Sequence, residues 1–209
     1  RLLQVHFLHY PIKIDDDNIA FCICDVAGKG VSAGMLMSNF QASLRTLISR
    51  DYDLETLVKA LNEKFNSITN QFRYISMFIA TYNIKSRKLR YVNAGHNHPI
   101  LKNGKEYIRL TKGCPILGML QDLGPIEIGE KTIEKDALLV MYTDGLSEIE
   151  NENEEEFGVE NIIEYIENNN ELELSKFTNK LIDEIEIYKG NNEIFDDVSL
   201  LCARFFNAQ

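Results

Sequence analysis

The chain has 209 residues, 44% hydrophobic and 26% charged, a globular composition long enough for one sizeable core. Asp and Glu number 32 against 22 Lys and Arg, a formal net charge of −10, which disfavours nucleic acid and anionic membranes as partners. No apolar stretch nears the length of a membrane-spanning helix, and no signal peptide is visible.

The chain opens on Arg1 rather than Met, which reads as part of a longer protein with an upstream sensor or regulatory domain or a membrane anchor. Residues 15–18 (DDDN) read as a hairpin turn, and residues 19–25 (IAFCICD) as a buried strand. Gly28 and Gly30 punctuate the chain before a helix from Val31 to about Arg50, with Ser32 as its N-cap. Asp53 caps a second helix, from Leu54 to about Ile68, whose apolar stripe is Leu54, Leu57, Val58, Leu61 and Phe65. Tyr74–Ile84 and Lys88–Asn93 form a hairpin across Lys85-Ser86-Arg87. Pro99–Lys102 and Glu106–Leu110 form another across Asn103-Gly104. Ala137–Thr143 is a buried strand, and 151–156 (NENEEE) is a solvated loop. Helices follow over Val159–Asn168 and Leu174–Ile187, and the strand Val198–Phe205 closes the chain. Hairpins interrupted by paired helices predict an α+β fold with largely antiparallel sheets. Cys22, Cys24, Cys114 and Cys202 show no CxxC spacing and read as small buried residues in a reducing, cytoplasmic compartment.

Three separated segments end or open an apolar strand with an acid: CICDVAGKG (Asp25), LLVMYTDGLSE (Asp144) and IFDDVSLL (Asp196, Asp197). Brought together, such carboxylates make an all-oxygen site suited to Mg²⁺ or Mn²⁺, and to metal-assisted hydrolysis of a phosphate ester. Each segment has a plainer reading by itself. The turn after Asp25 lacks the Walker A ending, because Gly30 follows Lys29. Asp144-Gly145 is a common turn pair. Asp196 and Asp197 would repel each other if buried, a cost that a cation relieves. In Asn93-Ala-Gly-His-Asn-His-Pro99, His96 and His98 fit an ordinary loop, although a histidine beside a bound phosphate can protonate the leaving oxygen.

Taken in order, DVAGKGVSAGMLM, NAGHNHP, GCPILG, VMYTDGLSE with the later EEFG, and FDDVSLL resemble the metal-dependent serine/threonine protein phosphatases of the 2C superfamily. The likeness is to the bacterial branch of stage II sporulation protein E and the sigma-factor-regulation phosphatases, and it runs from about residue 19 to the end. It implies two stacked, largely antiparallel sheets flanked by helix pairs, in a single phosphatase domain over 1–209. It also implies two Mn²⁺ or Mg²⁺ ions. By position, Asp25, the Val26 carbonyl, Asp144 and Asp196 correspond to metal ligands, with Asp25 bridging both ions. The resemblance further implies that Asp197 orients Asp196 from behind and that His96 and Gly145 lie beside the substrate. The implied chemistry is attack of a metal-activated water on phosphoserine or phosphothreonine of a protein, with an anti-sigma-factor antagonist as substrate. An upstream regulator acting through the helices after Asp25, and a homodimer, are compatible with it.

The pattern departs at one place. The family's upstream Gly-Asp segment falls near His6, Phe7 and His9, where no such acid stands. Either His6 or His9 substitutes, or one of Asp15, Asp16 and Asp17 reaches in, or metal binding is impaired. The last option leaves a second function open: a pseudophosphatase that binds a phosphoprotein without turnover. A nucleotide-phosphate hydrolase or cyclase is a third, against which the absence of a Walker-type loop counts.

Overall fold

The computed structural model describes residues 11–48, 53–70, 72–194 and 196–206. In chain order the elements are β1 (Ile12–Lys13), β2 (Asn18–Val26), α1 (Val31–Leu47), α2 (Leu54–Thr69), β3 (Ile75–Asn83), β4 (Lys88–Ala94), β5 (Ile100–Asn103), β6 (Glu106–Arg109), β7 (Gly113–Cys114), β8 (Gly129–Thr132), β9 (Ala137–Tyr142), α3 (Asp144–Ser147), α4 (Gly158–Asn169), α5 (Leu174–Lys189) and β10 (Leu200–Phe205). The described residues divide into two compact units, 11–98 with 110–133, and 99–109 with 134–206. The fold class is α+β, with two largely antiparallel sheets and accompanying helices.

The first unit is built on a sheet ordered β1-β2-β3-β4-β7, with β8 also pairing β4; only β4 and β7 run parallel. Alternate residues of β2 separate its two faces. Ala20, Cys22 and Val26 join Ile75, Met77 and Ile79 of β3 in a core with α1 and α2. The helices contribute Phe40, Leu44, Leu57, Val58, Leu61 and Phe65 to it, and the Phe40 and Phe65 rings meet edge to face at 5.9 Å. Phe21 and Ile23, on the other face, are buried as well, which is why this strand reads as a continuous apolar run.

Local chemistry sets the element ends. Asp53 caps α2 as expected, its Oδ1 accepting from the Thr56 N–H at 2.9 Å. Ser32 does not cap α1. The N-cap is Gly30, in a positive-φ conformation (82°) that the turn from β2 demands, so Ser32 falls inside the first helical turn. That helix ends at Leu47 with Ile48 as C-cap, so Arg50 lies outside the described residues. The 15–18 turn forms as read. Asp15 Oδ1 accepts the N–H groups of Asp17 and Asn18 at 2.8 and 2.9 Å, while Asp16 pairs with Lys13 and Asp17 with Lys85. With all three acids committed to this turn, the idea that one reaches a metal site is set aside. His6, Phe7 and His9 lie outside the described residues.

The second unit carries a sheet ordered β10-β9-β5-β6, antiparallel throughout. Ile100, Leu138, Val140 and Tyr142 pack with Ile162, Tyr165 and Ile166 of α4 and Phe177, Leu181 and Ile185 of α5. The Tyr165 hydroxyl, deep in this core, donates to the Phe177 carbonyl at 2.6 Å. The β5–β6 loop consists of Gly104-Lys105 rather than Asn103-Gly104: Asn103 pairs with Glu106 as the last strand residue, and its Oδ1 accepts from the Glu134 N–H at 2.8 Å. Among the described residues no helix is long and apolar enough to cross a membrane.

Candidate active site

In the first unit, β2 delivers Asp25 to its C-terminal end, exposed to solvent and directly across from Ser76 on β3. The Ser76 hydroxyl lies 2.8 Å from Nδ1 of the buried His96, so the residue opposite Asp25 on β3 is the one that meets His96. His96 is set by its own motif: its N–H donates to Asn93 Oδ1 at 2.8 Å, and Asn93 is itself held by β7 through Lys112. Gly113 has no alternative there, since a Cβ on it would lie 1.7 Å from the Asn93 carbonyl oxygen. Beside this end of β4 a polar cavity of about 530 Å³ is lined by His96, His98, Thr111, Lys112, Cys114 and Glu127.

Beyond Asp25 the chain runs through Val26 and a short turn into α1. The Ala27 N–H donates to the Tyr74 carbonyl at 3.0 Å, and the Arg73 guanidinium donates to the Ala27 carbonyl at 3.1 Å. No side chain caps the first turn of α1.

In the second unit, β9 ends just before Asp144, and β10 begins shortly after Asp196 and Asp197. Because Leu200 pairs with Tyr142, these acids share one end of the strand pair. Thr143 stitches the segments together. Its N–H donates to the Ser199 carbonyl at 3.1 Å, its hydroxyl to the Asp197 carbonyl at 2.9 Å, and its Oγ1 accepts from the Ser199 N–H at 2.8 Å. Gly145 permits this approach: a Cβ on it would sit 2.6 Å from the Asp197 carbonyl oxygen. Asp144 opens the one-turn helix α3, and its Oδ1 accepts the Gly145 N–H at 2.9 Å. Asp196 Oδ1 likewise accepts the Asp197 N–H at 2.9 Å. In both carboxylates Oδ2 takes no hydrogen bond from a described residue, which leaves an oxygen donor open on each.

One residue the sequence reading passed over belongs to this corner. Glu148, four residues after Asp144, has its carboxyl pKa raised, first by desolvation and then by repulsion from Asp144, Glu156 and Asp196. A carboxyl pushed up by the carboxylates beside it marks a charge that a hard divalent cation would neutralise. The i, i+4 spacing from Asp144 was the available signal. The structure thus places Asp25 opposite Ser76, the partner of His96, in one unit, and brings Asp144 and Gly145 to the Asp196–Asp197 segment in the other. No group of three or more His, Cys, Asp or Glu placed to hold a metal occurs among the described residues.

The stage II sporulation protein E (SpoIIE) family model matches residues 15–206. The chain belongs to this family. Phosphoserine phosphatase RsbU of Bacillus subtilis (strain 168) is 28% identical over 148 residues, 69% of this chain and 44% of RsbU. The chain spans less than half the length of the curated relatives it matches. Among solved structures, the SiaA-PP2C domain of Pseudomonas aeruginosa superposes with a TM-score of 0.82 at 18% identity, over 92% of this chain and 78% of that one. The catalytic domain of the serine threonine protein phosphatase PstP, in complex with two manganese ions, gives 0.63 at 12% identity, over 93% and 90%. The fold of this SpoIIE-family chain is that of the PP2C phosphatase domains.

Proposed function

We propose that this chain is the catalytic domain of a metal-dependent protein serine/threonine phosphatase. The observation that supports it most is the corner where Thr143 and Gly145 bring Asp144 and the Asp196–Asp197 segment to one end of β9 and β10, each ligand candidate keeping an open carboxylate oxygen. The donors are oxygens only, which fits Mn²⁺ or Mg²⁺. In this reading Asp25, the Val26 carbonyl, Asp144 and Asp196 hold the metal, and Glu148 adds charge beside Asp144. When bound, the metal supplies a water of lowered pKa and neutralises phosphoryl charge. The chain's own part is to fix these oxygens through strand ends and tight turns. His96, held by Ser76 and Asn93, stands beside the polar cavity as a group able to hold or pass a proton.

The family and the likeness to a phosphoserine phosphatase support a serine-phosphorylated protein as substrate. An anti-sigma-factor antagonist is the substrate we propose, for a cytoplasmic protein under an upstream regulator and able to form a homodimer. The test is phosphate release from a serine-phosphorylated antagonist protein and from nucleotides, each with Mn²⁺ and with EDTA. Metal-dependent release from the phosphoprotein alone is the expected result. Binding without release would mark a pseudophosphatase, and release from nucleotides would overturn the substrate class.

A further inference from the structure

We propose that Arg73 is a positioning residue for the turn that carries Asp25 and Val26, acting on metal affinity rather than on the substrate. This rests on the reading of those two residues as metal ligands.

The turn is short and weakly restrained by its own sequence, since Gly28 and Gly30 both adopt positive φ, 116° and 82°. Its stiffness must come from outside, and consecutive residues of one neighbouring segment supply it. The Tyr74 carbonyl accepts the Ala27 N–H and the Arg73 guanidinium donates to the Ala27 carbonyl, so one residue of the turn is gripped at both its backbone polar groups, through the peptides on either side of it. The guanidinium also fills the space over Gly28: a Cβ there would lie 2.4 Å from Arg73 Nη1 and 3.3 Å from Cζ. Glycine at 28 therefore serves twice, for its backbone angle and to admit the arginine. Arg73 is anchored in turn. Ile75, two residues on, exchanges backbone hydrogen bonds with Leu117 at 2.9 and 3.1 Å, and a Cβ on Gly118 would lie 2.6 Å from the Arg73 carbonyl oxygen.

Among the described residues the Ala27 carbonyl is the guanidinium's one hydrogen-bond partner, and no carboxylate pairs with it. Its donor is spent on a backbone carbonyl next to two proposed metal ligands. Lysine keeps the charge but not the planar fork that lies over a glycine. Groups that orient ligands from behind typically change metal affinity by about 10–100-fold when removed.

The experiment compares wild type, Arg73→Lys and Arg73→Ala. Amide exchange at Ala27, followed by NMR without metal, reads the grip directly; Mn²⁺ titration calorimetry reads the site; the KM for a phosphoserine peptide at saturating Mn²⁺ reads substrate contact. For Arg73→Ala we expect Ala27 exchange faster by about tenfold, an unchanged urea midpoint, Mn²⁺ affinity weaker by about tenfold and an unchanged KM, with Arg73→Lys between. Unchanged exchange, unchanged Mn²⁺ affinity, or a raised KM with normal metal affinity would each overturn the proposal. Wild type that binds no Mn²⁺ at all overturns the metal-ligand reading itself, and the exchange data still decide whether Arg73 holds the turn.

Discussion

Gly145 shows how closely the candidate site is cut. Its missing side chain is what lets the Asp197 backbone cross over α3, with no room for a Cβ at 2.6 Å from a carbonyl oxygen. Gly145→Ala must push that segment away, at a cost of about 1–3 kcal/mol by the scale of overpacking. Urea unfolding should register the loss, and Mn²⁺ affinity should fall with it; unchanged affinity would detach Gly145 from the site. The thiols make a prediction of opposite character. Burial pushes Cys114 up to about 11 and Cys202 up to about 12. In the unfolded chain these thiols ionise at their ordinary value near 9.0. The unfolded state therefore loses protons first, and stability falls as pH rises from that value towards the folded ones. The urea midpoint should drop above pH 9, and Cys202→Ala should flatten the drop. At this scale the sequence was informative about types and silent about company. Asp25, Asp144 and Asp196 stood out because each sits where a strand meets a turn. Arg73 and Glu148 carried no mark beyond their charge, because their roles arise from what the fold sets beside them.

Among elements, α2 is tied to the loop after β7 by asparagine rather than by apolar contact alone. Asn62, 2% exposed, donates to the Leu120 and Gln121 carbonyls at 3.0 and 3.3 Å and accepts from the Gly118 N–H at 2.9 Å, while Asn66 donates to Leu120 at 2.9 Å. Asn62→Leu would leave the buried Gly118 N–H and the Gln121 carbonyl without Asn62, while the Leu120 carbonyl keeps Asn66. Leaving such a group unpaired costs about 1–3 kcal/mol, so a loss of roughly 2 kcal/mol is expected from chemical unfolding. A loss under 1 kcal/mol would mean that the loop finds other partners. The long elements were legible because their apolar period is strong: β2, β3, β4, β9, α2, α4 and α5 fall within a few residues of the expected bounds. The misses are β1, β7, β8 and α3, of two, two, four and four residues, too short or too polar for a period to show. The Ser32 expectation failed for a different reason: the demand of the Gly30 turn set the start of α1, and the serine's capping preference yielded to it.

At the scale of the whole chain, a net charge of −10 and an all-oxygen donor set predict a molecule that divalent cations stabilise. A single site filled at about 100 times its Kd adds about 2.7 kcal/mol to stability. Thermal unfolding should therefore move up by several degrees with Mn²⁺ and return with EDTA. The α+β class and the order of motifs were readable from sequence, while the fate of the family's upstream acid rests with residues outside those described. Asp25 and Asp144 are each proposed as metal ligands, and each can be tested by itself. The most direct test is Mn²⁺-dependent phosphate release from a phosphoserine protein by Asp25→Asn and Asp144→Asn, side by side with wild type. Loss of roughly a hundredfold or more in both variants, with unfolding midpoints unchanged, is the predicted result; a wild-type rate in either would contradict it.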